Sequence, residues 1–343
     1  MDTDGPSAAC APSVSGADVS IPFVPRIDDA PYGRVQNVAP LIQRVIAKNP
    51  SKFTYHGTGT YILGTDRVVV IDPGPIMSSH REALTEALRG RTVVGIVVTH
   101  CHSDHSPLAG WLRDTTGAPT IAIGPHGEYP GWVDEDDHDP SEDEPVDPAA
   151  EESDEEERES HDEAFSPDVT VTDGERFLVT DEFELTAVHT PGHTSNHLCV
   201  AMHPGGVLFS GDHVMGWSTS VVSPPDGDMR AYMDSLRKVI DRNDAVLWPT
   251  HGGAITDPQP YLRALLAHRL ERERRIVEQI AGGNTTIPGI VKVLYADVHK
   301  RLHRPARRSV WSHVRKLVED GVIVTVDGGE PRLLGEYAPA TRR

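Results

Sequence analysis

Cysteine is scarce in this chain. Only three occur in 343 residues, Cys10, Cys101 and Cys199, and they lie far apart. An odd, sparse set excludes a disulfide framework and fits a reducing compartment, so a cytoplasmic location is expected. Long apolar runs are missing as well. No window approaches the ~18 consecutive apolar residues that mark a spanning helix, and residues 1–20 have neither a basic start nor an apolar centre. A membrane span, a signal peptide and a transit peptide are therefore not expected. Basic charge is also short. The formal net charge is −20, from 32 Lys/Arg against 52 Asp/Glu. Residues 134–163 alone hold 18 acids and one Arg, so the rest carries 31 bases against 34 acids and is nearly neutral. Apolar residues make up 38% and charged residues 24%, an ordinary soluble composition with ample chain for a core. The length suits two domains, or one domain with an appendage.

Residues 1–31 are rich in Ala, Pro, Ser and Asp and read as a disordered tail. Residues 32–258 read as one domain. Strands are expected at 61–63 and 67–71 around the turn Gly64-Thr65-Asp66, then at 93–99 and 120–123, with helices at 79–88 and 108–115 between them. Further strands are expected at 169–171, 176–179, 183–188, 198–202, 207–210 and 245–248, with a helix at 229–240. This alternation predicts an α/β layered fold. Residues 134–163 have too few apolar side chains to offset their ordering entropy and read as a disordered insertion. From 259 to 343 the texture changes to helices at 261–281, 288–298 and 305–320, then a hairpin of 322–326 and 332–337. Helices followed by a hairpin are the order of a winged-helix module. Residues 261–343 hold 16 Lys/Arg against 9 Asp/Glu, reversing the acidic trend.

The chemistry concentrates in Thr99-His100-Cys101-His102-Ser103-Asp104-His105, directly after an apolar strand. His100 and His102 lie two apart in an extended segment, point the same way and could share one ion. Asp104 and His105 follow after a turn and could reach a second. Three more candidates each sit in a Gly-containing loop after an expected strand: His193 in Thr190-Pro-Gly-His-Thr194, Asp212 in Ser210-Gly-Asp-His213 and His251 in Pro249-Thr-His-Gly-Gly253. A lone His is usually structural, and the chain has 18, but four such motifs in sequence are hard to reach by chance. Imidazoles and carboxylates without thiolate suit zinc, with iron or manganese as the alternatives. Cys101, between two ligands on an extended segment, should point away from the metals into packing.

The pattern HxHxDH followed by TPGHT, GD and THG resembles the metallo-β-lactamase superfamily over residues 35–253. The resemblance implies an αββα sandwich, two mixed sheets with helices outside. It implies one metal site of His100, His102 and His193, a second of Asp104, His105 and His251, and Asp212 bridging them. Asp72, after a strand, would orient a ligand. β-Lactamases of the commonest class have Cys where this chain has Asp212, and homoserine-lactone lactonases usually have Tyr where this chain has Met215. The loop Thr190-Pro-Gly-His-Thr-Ser-Asn-His197 looks like the glyoxalase II type. Asn49-Pro50, Gly57-Thr-Gly-Thr-Tyr61, Tyr232-Met-Asp-Ser-Leu236, His268-Arg269 and the winged-helix tail look more like the β-lactamase-like protein 2 group, some of whose members are zinc-dependent endoribonucleases.

Two zinc ions about 3.5–4 Å apart would share a water, lower its pKa and present a bridging hydroxide to a carbonyl or phosphoryl centre. Asp104 and Asp212 are the expected catalytic carboxylates. Such a centre does not choose between carbon and phosphorus. The candidate substrates are thus single-stranded RNA or a small ester, thioester or lactone. A third reading is a nucleic-acid-binding regulator with a non-catalytic metal domain. Arg301, Arg304, Arg307, Arg308, Arg315 and Lys316 surround the third tail helix and are candidates for phosphate contact, or for packing on the hydrolase domain or a second subunit of a homo-oligomer. His213, His189 and His197 flank ligand positions and serve either the site or the packing. His80, His126, His138 and His161 are expected in solvent.

Overall fold

The computed structural model describes residues 20–24, 30–127, 160–297 and 303–341, though not the side chain of Arg304. The first sheet holds β1 (Gln36–Ala39), β2 (Ile42–Ile46), β3 (Gly59–Leu63), β4 (Arg67–Ile71), β5 (Thr92–Val97), β6 (Thr120–Ala122) and β7 (Val169–Thr170), side by side in that order. Pairing is antiparallel as far as β4 and parallel beyond it. The second sheet sets β8 (Arg176–Val179), β9 (Glu184–His189), β10 (Leu198–His203), β11 (Val207–Gly211) and β12 (Val246–Pro249) in sequence, with only β11 and β12 parallel.

The layering follows from alternation along the strands. In β4, Val69 and Ile71 face the second sheet while Val68 and Val70 face helices, because successive strand side chains point to opposite faces. The inter-sheet core adds Tyr61, Leu63, Val97, Leu185, Val200 and Phe209. Outside the first sheet, α1 (Ser78–Ala87) contributes Leu84 and α2 (Leu108–Thr116) contributes Leu108 and Leu112. Outside the second, α3 (Met229–Arg242) contributes Tyr232, Met233 and Leu236 against Cys199, Ala201 and Leu208. Burying each large apolar side chain stabilises the fold by about 1.5–3 kcal/mol. The result is an αββα sandwich of two mixed sheets.

α3 is bounded by residues suited to its ends. The Asp228 carboxylate accepts from the Ala231 amide at 2.8 Å, and Asn243 closes the helix at φ 56°. α4 (Pro258–Ala281), with Pro in its first turn, serves two cores. Tyr261, Leu262 and Leu265 pack on the second sheet's outer layer, while Ile276 and Ile280 pack with α5 (Ile287–Leu294), α6 (His303–Glu319), β13 (Ile323–Thr325) and β14 (Tyr337–Pro339). These last four elements form the winged helix. Among the described residues no helix is long and apolar enough to cross a membrane.

Several expectations need correction. β1 and β2 were not anticipated, because strands of four and five residues with Gln36, Asn37, Gln43 and Arg44 interspersed give a weak apolar signal. The second strand of the terminal hairpin is Tyr337–Pro339 rather than 332–337, and α5 stops at Leu294. Part of the expected tail is docked, since the Val24 amide bonds Gly216 O at 2.8 Å and Ile21 and Val24 pack on the second sheet's helical layer. The end of the acidic run is also docked, with Asp162 N on Cys101 O at 2.8 Å and Ser103 N on Ser160 O at 2.9 Å. The disorder expected for residues 1–19, 25–29 and 134–159, and the exposure of His138, lie outside the described residues.

Candidate metal centre

Five strands end on one rim, and each hands over to a polar residue. β4 leads to Asp72, β5 to His100, the loop after β9 to His193, β11 to Asp212 and β12 to His251. The loop carrying His193 can approach α3 closely only because residue 192 is glycine at φ 134°; a Cβ there would meet the Tyr232 backbone nitrogen at 2.2 Å. His100, His102, His105, His193, Asp212 and His251 are buried, and the Asp104 side chain keeps 23% exposure.

Two halves emerge. His100 Nε2 and His193 Nε2 lie 3.0 and 3.2 Å from His102 Nδ1. Asp104 Oδ2 lies 3.3 Å from His105 Nε2 and 3.2 Å from His251 Nε2. Asp212 Oδ2 stands between them, 3.3 Å from His251, 3.7 Å from His105 and 4.0 Å from His193. The ligand atoms of His100, His102 and His193, of His100, His105 and Asp212, and of Asp104, His105 and His251 each fall within 4.8 Å of one another.

Three of the imidazoles are held from behind. His105 Nδ1 donates to Asp72 Oδ2 at 2.9 Å, His193 Nδ1 to Val221 O at 2.6 Å and His251 Nδ1 to Gly57 O at 3.2 Å. A ring nitrogen that donates outward fixes the tautomer and leaves the other lone pair facing inward. Asp72 also accepts from the Thr99 amide, the Thr99 hydroxyl and the Thr250 hydroxyl, which locks its carboxylate in place.

The donor set also fits a metal by its unmet demand. Among the described residues Asp212 Oδ1 is buried with no hydrogen-bond donor in reach, and five imidazoles and two carboxylates converge without a thiolate. A buried carboxylate oxygen without a donor is costly unless a cation completes it. Beside the cluster opens a cavity of about 280 Å³ lined by Asn49, Phe53, Ser103, Asp104, Asp212 and His251 among others.

Residues 55–251, more than half of the chain, match the Metallo-beta-lactamase superfamily, and residues 286–330 match the Beta-lactamase associated winged helix domain. The chain belongs to the metallo-β-lactamase superfamily. A Drosophila melanogaster protein named Beta-lactamase-like protein 2 homolog is 29% identical over 81% of this chain and 88% of its own length. A Claviceps purpurea protein named Atrochrysone carboxyl ACP thioesterase is 28% identical over 77% of this chain and 74% of its own. The solved structure of a beta-lactamase domain protein from Burkholderia ambifaria shares the fold, with a TM-score of 0.67 at 19% identity over 92% of this chain and 96% of that one.

Electrostatics in this metallo-β-lactamase centre divide the histidines. Burial, reinforced by neighbouring imidazoles, holds His100 and His102 well below the usual range, so both present neutral lone pairs. Burial also pushes on His251, but Asp212 and Asp104 outweigh it and lift His251 to about 10. Burial would raise Asp104 and Asp212, yet His105 and His251 hold both carboxyls well below their usual range.

Beyond Asp72, sequence reasoning missed the residues that hold the candidate ligands. Thr58 donates to Asp104 Oδ2 at 2.7 Å and is itself held by Asn49, so Asn49 and the Gly57–Tyr61 motif were visible without their role being legible. His197 is a positioning residue. Its Nε2 accepts the Asp212 and His213 amides at 3.1 and 3.2 Å, and its Nδ1 donates to Thr190. His213 packs on Tyr232 instead, and His189 bonds Ser195 O. Cys101 lies in the core against α2, and burial pushes its thiol up to about 12.

Two expectations of exposure fail. His80 is buried against Thr60, and burial lowers it to about 4. His126 is half-buried and lies beside His161 and Asp226. The expected basic face of α6 also turns inward in part. Arg307 and Arg308 are buried at 2% and 8% exposure, and Lys316 is paired with Glu273 and Asp320. Arg315 is half-buried, and Arg301 and the Arg304 side chain lie outside the described residues.

Proposed function

We propose that this chain is a zinc-dependent hydrolase with two ions per chain and that its substrate is a small acyl thioester or ester. His100, His102 and His193 would hold one ion, Asp104, His105 and His251 the other, and Asp212 would be shared. The observation that carries this reading is the position of Asp212 Oδ2, within 4.0 Å of ring nitrogens from both halves. Zinc, when bound, supplies an activated water near neutral pH and polarises the substrate oxygen.

The chain's own groups do the rest. Asp104 is the donor most open to the cavity, at 23% side-chain exposure. Its carboxylate, steadied by Thr58, is placed to orient the attacking water and to carry a proton to the leaving group. Phe53 and Pro50 give one wall of the cavity an apolar surface for an acyl chain. The relative named as an acyl-carrier thioesterase supports a thioester. The burial of Arg307 and Arg308 takes away two of the phosphate contacts that single-stranded RNA would need.

The test offers zinc-loaded protein and its Asp212→Ala variant both an acyl-thioester panel, read by thiol release, and a labelled single-stranded RNA. Thiol release that disappears in the variant, with RNA intact, is the expected result. RNA cleavage without thiol release would overturn the substrate assignment, and full activity in the variant would overturn the centre.

A further inference from the structure

A second cluster of metal-ligating side chains lies outside the seven-residue centre. His126 follows β6, His161 ends the acidic run and Asp226 precedes α3, and one donor atom from each falls within 4.8 Å of the others. His126 Nδ1 and Asp226 Oδ2 are 3.5 Å apart, long for a hydrogen bond. That spacing matches the ~3.3–3.5 Å edge of a tetrahedron with zinc–ligand bonds near 2.1 Å. The His126 and His161 rings lie 4.3 Å apart between centroids, tilted by 32°.

The backbone around all three is pinned. Asn196 donates to Gly124 O and Pro125 O, each at 3.2 Å, immediately before His126. The Ser195 amide donates to Asp226 Oδ1 at 2.9 Å, which turns Oδ2 toward the imidazoles. His161 sits between two backbone anchors, Ser103 N to Ser160 O and Asp162 N to Cys101 O. Asn196 and Ser195 belong to the loop that carries His193, and Cys101 and Ser103 to the loop that carries His102. The cluster is thus built on the same loops as the main centre and adjoins it, with the His161 ring 4.8 Å from the His102 ring between centroids.

We propose that His126, His161 and Asp226 form a third metal site, for a borderline divalent ion such as zinc, that ties the segment before the acidic run to the segment at its end. Two imidazoles and one carboxylate are a zinc-type donor set, and the exposure of His161 leaves a position open to water. The 26 residues 134–159, all between the two histidines, hold 16 acids and one Arg. Such a run, adjoining His161 in the sequence, attracts divalent cations. Closing this stretch by a metal rather than by hydrogen bonds alone also offsets part of its loop entropy.

The test is zinc bound per folded chain after equilibrium dialysis against free zinc. His126→Ala and Asp226→Asn should each bind one equivalent fewer than the wild type. Asp226→Asn keeps an acceptor for the Ser195 amide, so it reads the site even if His126→Ala fails to fold. Adding His126→Ala to Asp212→Ala should remove one equivalent more than Asp212→Ala alone, which separates this site from the main centre. A folded Asp226→Asn that binds as much zinc as the wild type overturns the proposal. So does cadmium NMR of the wild type that lacks a resonance beyond those of the seven-residue centre.

Discussion

Asp212 and Glu273 are both buried carboxylates, and they are treated in opposite ways. Glu273, on α4, faces His313 Nδ1 at 3.4 Å and the Lys316 ammonium at 3.1 Å. Asp212, on the strand rim, has one oxygen shared among three imidazoles and the other without a donor. Burial raises both carboxyls and nearby cations more than reverse it, so the electrostatic direction is the same. The difference is completion. A buried charge whose partners come from the chain itself holds two helices together. One whose coordination is left open among converging lone pairs waits for something the chain does not supply.

The largest expected effect comes from loosening the open region. Asp72→Asn places an amide where four donors now converge on a carboxylate, so His105 loses its orientation. Zinc affinity should fall by ~10–100-fold in a chelator competition. Unchanged affinity would mean that Asp72 serves the fold and not the ligand. A smaller effect comes from the closed region. Glu273→Ala takes the carboxylate from His313 and leaves Lys316 with Asp320 alone, and should cost ~1–3 kcal/mol in denaturant unfolding with zinc content untouched. A loss of zinc there would break the contrast between the two regions.

The smallest effect is a slope with pH. Burial lowers His313 from 6.5 to about 4 despite Glu273. Between those values the unfolded chain binds more protons, so this contribution is full above pH 6.5 and is lost as pH falls toward 4. His313→Gln should flatten the dependence of stability on pH in that window, and an unaltered slope would assign the effect to other groups.

The residues of the candidate metal centre were legible because each motif is local. Strand, short turn and ligand follow one another within a few residues, and apolar alternation marks the strand before it. The supports were not, since Thr58 reaches Asp104 across 46 positions and Thr250 reaches Asp72 across 178. His80, Arg307 and Arg308 were misjudged for the same reason. A polar side chain is buried by what packs over it, and that is decided by tertiary structure. His126, His161 and Asp226 share no local motif at all, because only the docking of three loops unites them. The winged helix was readable as an order of elements, but its strands are three residues each and their register escaped.

The helix shared by two cores has a mechanical consequence. α4 spans 24 residues, about 36 Å at 1.5 Å per residue. Near its middle, Arg269 lies over the Tyr232 ring and bonds Ser220 O. The next residue, Val221, offers the carbonyl that holds His193. A force applied to the winged helix therefore has a stiff route to an imidazole of the metal centre. The helix works as a lever arm whose fulcrum, at Ser220, lies one residue from the anchor of His193.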